Sequence, residues 1–230
     1  MSRVLNWPSA ACTGLWHLES SGLDSSGHAL HASPGVAPGY GRALIGNGAY
    51  FDGTKYLNMP DSTLLRSTVM SLLCFYKGTQ SSMGMIFQDY FIENGDLPQN
   101  THDGYRLYIN GGIPVFALAN GSFYAVTYSS GVAINDDEWH SILVTRDSSA
   151  FRFYVDWNLV LTVAPPDVWG YPNWYGVGGP IIGRGIVDSP AVEVGSYGYY
   201  LVGWLDEIQL FNRALSPGEV SRLAAFYKGE

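Results

Sequence analysis

Two adjacent carboxylates near the carboxyl end of the chain are the first candidates for a functional role. Asp206 and Glu207 lie in WLDEIQLF, an apolar stretch of a chain in which only 14% of the residues are charged. Such groups act as catalytic acids and bases, bind cations, or anchor structure through hydrogen bonds. If the stretch is a regular strand, Asp206 shares a face with the core residue Ile208, and Glu207 lies on the other face. A buried Asp206 would then accept hydrogen bonds from backbone N–H groups or pair with Arg213.

The elements that position these carboxylates are predicted to be β-strands. Aromatic residues make up 14% of the chain, with 28 Gly and 12 Pro, which suits short strands joined by tight turns. In VMSLLCFYKG, Leu72 and Cys74 share one face while Leu73 and Phe75 share the other. WHSILVTR and FRFYVD alternate similarly and are predicted to form a hairpin through RDSSA. Further strands are predicted at 14–18, 48–59, 83–88, 104–110, 113–118, 122–128, 158–163, 180–184 and 201–211.

One short helix is predicted over 217–226, near the carboxyl end. Ser216 can cap it, Pro217 suits its first position, and Glu219 can return to the cap N–H group. The apolar residues of this helix fall on one face, which predicts packing against the strands. Because no low-complexity linker divides the chain, residues 1–230 are expected to form a single domain.

Charge and hydropathy exclude several classes of partner. The net charge is −8 and the pI is about 5.0, so the basic surface that nucleic acids require is missing. No stretch approaches the roughly 18 apolar residues of a membrane span, and the amino-terminal residues lack a signal-peptide pattern. Of the two cysteines, Cys12 and Cys74, the second lies in a predicted strand and is expected to be a buried free thiol.

Four motifs carry a resemblance to a known family. They are GLWHLESSGLDSSGHALHA, AYFDGTKYLNMPDS, DEWHSILVTRDSSAFRFYVD and GWLDEIQLFNRALSPGEV. In this order and at these spacings they resemble the laminin-G-like branch of the concanavalin A-like lectin/glucanase superfamily, over nearly the whole chain. The resemblance implies an all-β jelly-roll sandwich of two antiparallel sheets, with the short helix at its end.

The resemblance also implies a structural calcium ion. Similar domains often hold Ca²⁺ with the Asp of a DSSGN loop and the Asp of the last strand, which here are Asp24 and Asp206. Oxygen ligands from separated loops suit this ion. However, His28 stands where Asn is usual, and imidazole is a poor calcium ligand. A calcium site and a metal-free structural anchor therefore both stay open.

Catalysis is not expected, although the superfamily includes glucanases. Retaining glycosidases need two carboxylates about 5 to 5.5 Å apart, which the hydrolases of this superfamily carry as E-x-D-x-x-E on one strand. The chain has no such triplet, and Asp206 and Glu207 would point to opposite faces. His140 is expected to be a hydrogen-bonded strand residue, since no Ser or Cys motif accompanies it.

Aromatic residues in predicted loops are the candidate binding residues. Trp157 stands in YVDWN, where similar domains have Gly in a hairpin turn that requires positive φ. Either this turn slips by one residue, or the indole projects from the tip and is stabilised by a neighbour. A second group could contact a sugar or a protein, or could fold back over the sandwich. It comprises Trp169, Tyr171, Trp174 and Tyr175.

These features favour a non-catalytic recognition or interaction domain. The missing signal and stop-transfer segments suggest a decoration or adhesion protein on the surface of a particle, such as a phage capsid, tail or fibre. Its expected partners are proteins of the assembly and host glycans, and homo-oligomers stay open. The alternatives are a free carbohydrate-binding lectin and, third, a degenerate glycoside hydrolase.

Overall fold

The computed structural model describes residues 11–92, 102–120, 125–164, 179–186 and 197–229. These ranges form antiparallel strands, a 3-10 turn and one helix. The elements are β1 Cys12–Trp16, β2 Ser33–Val36, β3 Gly39–Arg42, β4 Asn47–Asp52, β5 Tyr56–Asn58, the 3-10 turn Thr63–Leu65, β6 Met70–Lys77, β7 Gly84–Ile92, β8 His102–Asn110, β9 Ile113–Asn120, β10 Ala125–Ser129, β11 His140–Arg146, β12 Phe151–Val155, β13 Asn158–Val163, β14 Ile181–Ile182, β15 Gly185–Ile186, β16 Tyr197–Gly198, β17 Val202–Phe211 and α1 Pro217–Lys228.

The strands build two large antiparallel sheets. The first sheet has the order β13-β12-β11-β6-β17-β4-β3, and β1 also pairs with β17. The second sheet has the order β10-β9-β8-β7-β14-β5-β2, and β15 pairs with β16 separately. The predicted all-β sandwich with a short carboxyl-terminal helix is thereby confirmed. A single domain over residues 1–230 extends beyond the described ranges and stays a prediction.

The main hydrophobic core lies between the two large sheets. Strand alternation directs Leu72 and Cys74 of β6 into this core, while Leu73 and Phe75 point to the outer face of the first sheet. Because α1 covers that outer face, β6 is buried on both sides. Cys74 is a buried free thiol, as the sequence predicts.

Helix α1 begins with the predicted capping box. The Ser216 hydroxyl accepts a hydrogen bond from the Glu219 N–H group, and the Glu219 carboxylate accepts one from the Ser216 N–H group. Val220 and Leu223 are buried against the outer face of the first sheet. Within the described ranges, no helix has the length and apolar character needed to cross a bilayer.

Candidate functional site

A β-bulge in β17 decides where the adjacent carboxylates point. Asp206 lies opposite Phe75, and Gln209 lies opposite Leu73. The two residues between them in β17, Glu207 and Ile208, therefore face a single residue of β6, Cys74. The bulge residue Glu207 has a φ of 51°, which is uncommon for a residue other than Gly. The strand alternation is therefore interrupted at this point.

The bulge places both carboxylates on the outer face of the first sheet. Leu205 and Ile208 point into the main core, whereas the partner of Asp206, Phe75, belongs to the outer cluster under α1. The prediction that Asp206 shares the face of Ile208 is wrong, because it assumed an unbroken period of two residues. Both acidic side chains instead lie on the side that carries α1.

Glu207 links the sheet to α1 and to the end of β1. Its Oε1 accepts a hydrogen bond from Nδ1 of His17, and its Oε2 accepts one from the Tyr227 hydroxyl at 3.0 Å. The Gln209 amide donates in turn to the Tyr227 oxygen. The hydrogen bond to Glu207 raises the pKa of His17, although burial opposes this shift. Only 5% of the Glu207 side chain is exposed, so its oxygens serve internal contacts.

Asp206 is fully buried, and one of its two oxygens accepts a backbone N–H group. Its Oδ2 accepts the Ile45 N–H group at 3.0 Å, while Oδ1 has no hydrogen-bond partner among the described residues. Burial raises the pKa of Asp206 to about 8, and the nearby charge of Glu207 adds to the shift. Asp206 is therefore mainly neutral at pH 7. Of the two predicted partners, a backbone N–H group is the observed one, whereas Arg213 binds Glu219 with distances of 2.8 and 2.6 Å.

A groove of about 740 Å³ lies beside Glu207, between α1 and the turn that joins β3 to β4. The Glu19 carboxylate at its rim accepts a hydrogen bond from the Asn47 N–H group. Glu19, Asp206 and Glu207 therefore all accept hydrogen bonds within the protein. This arrangement suits a structural role better than acid–base chemistry. The groove is lined by His17, Glu19, Leu44, Ile45, Gly46, Glu207, Phe226, Tyr227, Lys228 and Gly229.

Asp24 anchors the loop that follows β1. Its Oδ1 accepts the N–H groups of Leu15 and Ser26, and its Oδ2 accepts the Ser26 hydroxyl and the Leu30 N–H group, at 2.8 to 3.0 Å. Burial alone would raise the pKa of Asp24, but the combined hydrogen bonds lower it. A carboxylate has about four lone-pair positions, so both Asp24 oxygens are fully used by donors.

The two predicted calcium ligands accept hydrogen bonds from different donors in this structure. Asp24 accepts hydrogen bonds from Leu15, Ser26 and Leu30, whereas Asp206 accepts one from Ile45. Within the described ranges no cluster of three or more His, Cys, Asp or Glu residues could hold a metal ion. Ca²⁺ takes six to eight oxygen ligands, and the donors that already fill both Asp24 oxygens would have to be displaced for Asp24 to bind it. A calcium site and a metal-free anchor both stay predictions, and the hydrogen bonds of Asp24 favour the anchor.

EDTA is expected to leave the melting temperature unchanged, because the Asp24 oxygens already have protein donors. Differential scanning calorimetry with EDTA and with added Ca²⁺ checks this, since a ligand of the native state alone stabilises by mass action. Elemental analysis of the purified protein is the control. A melting temperature that falls in EDTA and recovers with Ca²⁺ would contradict the metal-free anchor.

Trp157 packs against its own domain. Asp156 and Trp157 have φ values of 50° and 67° and form the two-residue turn between β12 and β13, so the turn does not slip. The indole stacks on Tyr227 with ring centroids 5.7 Å apart and meets the edge of Phe75 at 5.8 Å. The second alternative, a neighbour that stabilises the indole, is the observed one. A binding role for Trp157 stays a prediction.

Trp157→Gly is expected to lower the free energy of unfolding by about 1 to 2 kcal/mol. Loss of ring packing, about 3 kcal/mol for a large aromatic side chain, exceeds the roughly 1 kcal/mol gained by relieving a positive φ. Urea unfolding measures the change, and Trp157→Phe, which keeps a ring, is the matched control. A Gly variant as stable as the parent would contradict this, because the indole packing would then only offset the strain of the positive φ.

The second group of predicted aromatic residues falls in a segment outside the described ranges. Trp169, Tyr171, Trp174 and Tyr175 lie outside the described residues, so their binding role stays a prediction. Sequence reasoning missed the roles of His17 and Tyr227, which contact a carboxylate distant in the sequence.

His140 is a hydrogen-bonded strand residue as expected, with ring nitrogens 2.8 and 2.9 Å from the carboxylates of Asp156 and Asp136.

Comparison with known proteins identifies the same superfamily. A laminin G family model, described as Concanavalin A-like lectin/glucanases superfamily, matches residues 51–221. A search of curated proteins finds no match. Solved structures with a similar fold have sequence identities of 10 to 18% to this chain. At such low identity they show the fold alone.

Three examples represent the solved structures that are similar to this chain. The binding domain of Paraclostridial Mosquitocidal Protein 1 has a TM-score of 0.72 and 12% identity, over 95% of this chain and 53% of that one. The binding domain of Botulinum Neurotoxin DC in complex with SialylT has a TM-score of 0.69 and 10% identity, over 95% and 52%. Domain 4 of AbnA, a GH43 extracellular arabinanase from Geobacillus stearothermophilus, in complex with arabinotriose, has a TM-score of 0.64 and 18% identity, over 93% and 98%. The chain therefore spans about half of the two toxin structures.

Proposed function

The chain belongs to the laminin-G-like branch of the concanavalin A-like lectin/glucanase superfamily, and we propose from this that it is a non-catalytic recognition domain. Its ligand is a glycan, and it contacts protein partners when it is part of a larger assembly. The narrower proposal is a decoration or adhesion protein on a particle such as a phage virion. The alternative is a free carbohydrate-binding lectin.

One observation carries the non-catalytic part of the proposal. A retaining glycosidase must present two carboxylates to one sugar, about 5 to 5.5 Å apart. Here Asp206 is fully buried, and Glu207 is held by His17 and Tyr227 with only 5% of its side chain exposed. Asp206 and Glu207 therefore make their hydrogen bonds inside the protein. This supports recognition over the third hypothesis, a degenerate glycoside hydrolase.

The glycan part of the proposal is supported by the proteins that share the fold. The structure of domain 4 of the arabinanase contains arabinotriose, and the structure of the botulinum toxin binding domain contains SialylT. These ligands belong to those proteins. Since a shared fold does not fix the ligand, only the broad class, a glycan, is transferred to this chain.

A glycan array probed with the labelled, purified chain tests this function. We expect saturable binding to at least one glycan and no sugar released from polysaccharides. Mass spectrometry of particle and soluble fractions separates particle decoration from a free lectin, because only a decoration protein would copurify with the particle. Absence of binding across the array, or release of sugar, would contradict glycan recognition without catalysis.

A further inference from the structure

The outer face of the first sheet carries an aromatic pair away from α1. Tyr50 of β4 and Trp204 of β17 are register partners, with ring centroids 5.2 Å apart and planes tilted by 45°. Their neighbours Ala49 and Leu205 point into the main core, so the two rings point away from it. Tyr50 is 36% exposed and Trp204 is half-buried. We call this pair the aromatic platform.

Two glycines of the edge strand β3 border the aromatic platform. Gly39 of β3 lies opposite Tyr50, and Gly41 follows on the same face, while Tyr40 between them packs towards the core. A Cβ atom on Gly41 would stand only 2.9 Å from the Trp204 ring. Gly weakens a strand interior and often marks a place where a ligand approaches closely. The absence of a side chain at Gly41 thus lets the Trp204 ring lie close to the edge strand, and Gly39 places no side chain opposite Tyr50.

Polar groups lie beside the aromatic platform. Tyr50 and Trp204 line a shallow groove of about 330 Å³ together with Lys77, Thr79 and Asp137. Neither the Lys77 ammonium nor the Asp137 carboxylate has an ion-pair partner in the part of the chain that the structure describes. The groove therefore combines apolar ring faces with one cationic donor and one anionic acceptor.

We propose that the aromatic platform binds one neutral pyranose ring of a glycan, an inference that rests on the proposed function and gives it a site. The C–H face of a pyranose suits the negatively polarised face of an aromatic ring. Hydroxyl groups both donate and accept, so they match Lys77 and Asp137 together. An anionic sugar would be repelled by Asp137 and by the net charge of −8.

Two variants test the aromatic platform in different ways. Tyr50→Ala removes a ring, whereas Gly39→Gln keeps both rings and places a side chain opposite Tyr50. Gly39 is exposed, and a Cβ atom there would make only an ordinary contact of 3.7 Å, so the second variant is expected to fold. Phe226→Ala, in the groove beside α1, is the matched control.

The experiment is a glycan array with neutral and acidic glycans, followed by calorimetric titration with the neutral glycan that gives the strongest signal. Circular dichroism checks the fold of each variant. Tyr50→Ala and Gly39→Gln are expected to weaken binding about 10-fold or more, as loss of a central aromatic contact does, and Phe226→Ala is expected to bind like the parent.

The outcomes separate this inference from the proposed function. Folded platform variants that bind like the parent would overturn the site while glycan recognition stands. A parent that binds acidic glycans alone would overturn the neutral ligand class. If the parent binds no glycan on the array, both the proposed function and the aromatic platform as a sugar site fail.

Discussion

Asp24→Ala is expected to lower the free energy of unfolding by about 3 kcal/mol at pH 7, since a buried donor left without an acceptor costs about 1 to 3 kcal/mol. The N–H groups of Leu15, Ser26 and Leu30 all lose the acceptor that holds the loop after β1. Urea unfolding measures the loss. The matched control is Asp52→Ala, because Asp52 accepts similar hydrogen bonds from Thr54 at an exposed position.

The effect of Asp24→Ala should depend on pH in a defined direction. The hydrogen bonds lower the pKa of Asp24 in the folded state below its ordinary 3.8. Its stabilisation is therefore fully present above pH 3.8 and is lost as the pH falls through the lower folded-state pKa. Parent and variant should converge in strong acid. Equal stabilities at pH 7 would contradict the anchoring role of Asp24.

Asp206→Asn is expected to raise the free energy of unfolding by about 3 kcal/mol at pH 9 and to leave it almost unchanged at pH 4. Each pKa unit corresponds to about 1.36 kcal/mol, and the expected value is smaller than the full pKa shift because the site can partly relax. Burial raises the pKa of Asp206 from 3.8 to about 8. The folded state therefore holds a proton that the unfolded state has lost, and stability falls as the pH rises through this window. The Asn side chain mimics the protonated form at every pH.

Glu207→Gln is the matched control for Asp206→Asn, because it makes the same chemical change one residue further on. It removes the charge that His17 contacts, so it should destabilise the protein. The pKa of His17 is raised, hence this contribution is fully present below pH 6.5 and is lost as the pH rises through the folded-state pKa. Thermal unfolding between pH 4 and pH 9 measures both variants. An Asp206→Asn variant that is less stable at pH 9 would contradict the buried, neutral carboxyl group.

Local patterns in the sequence were sufficient for the elements whose contacts are local or periodic. The alternation in β6 and the capping box of α1 appear in the structure as predicted. Strands β2 and β3 were not predicted, because SPGV and GYGR contain Gly and Pro in place of β-branched residues. Both strands end a sheet, where such residues are tolerated.

The candidate site could be predicted only in part, because its contacts are distant in the sequence. His17 reaches Glu207 across 190 residues, and Trp157 stacks on a ring of the last helix. The residue types in WLDEIQLF do not indicate a bulge at Glu207, so the sequence pattern predicts the wrong face for Asp206. In the DSSG loop, Asp24 accepts N–H and O–H groups, and its role as a calcium ligand stays a prediction.

Recognition of a glycan without cleavage is tested most directly by calorimetric titration of the purified chain with the neutral oligosaccharide that gives the strongest array signal. Mass spectrometry of the recovered sugar completes the measurement. The predicted result is saturable binding of a sugar that is recovered intact after prolonged incubation. Shortened sugar, or no heat of binding at millimolar concentrations, would contradict it.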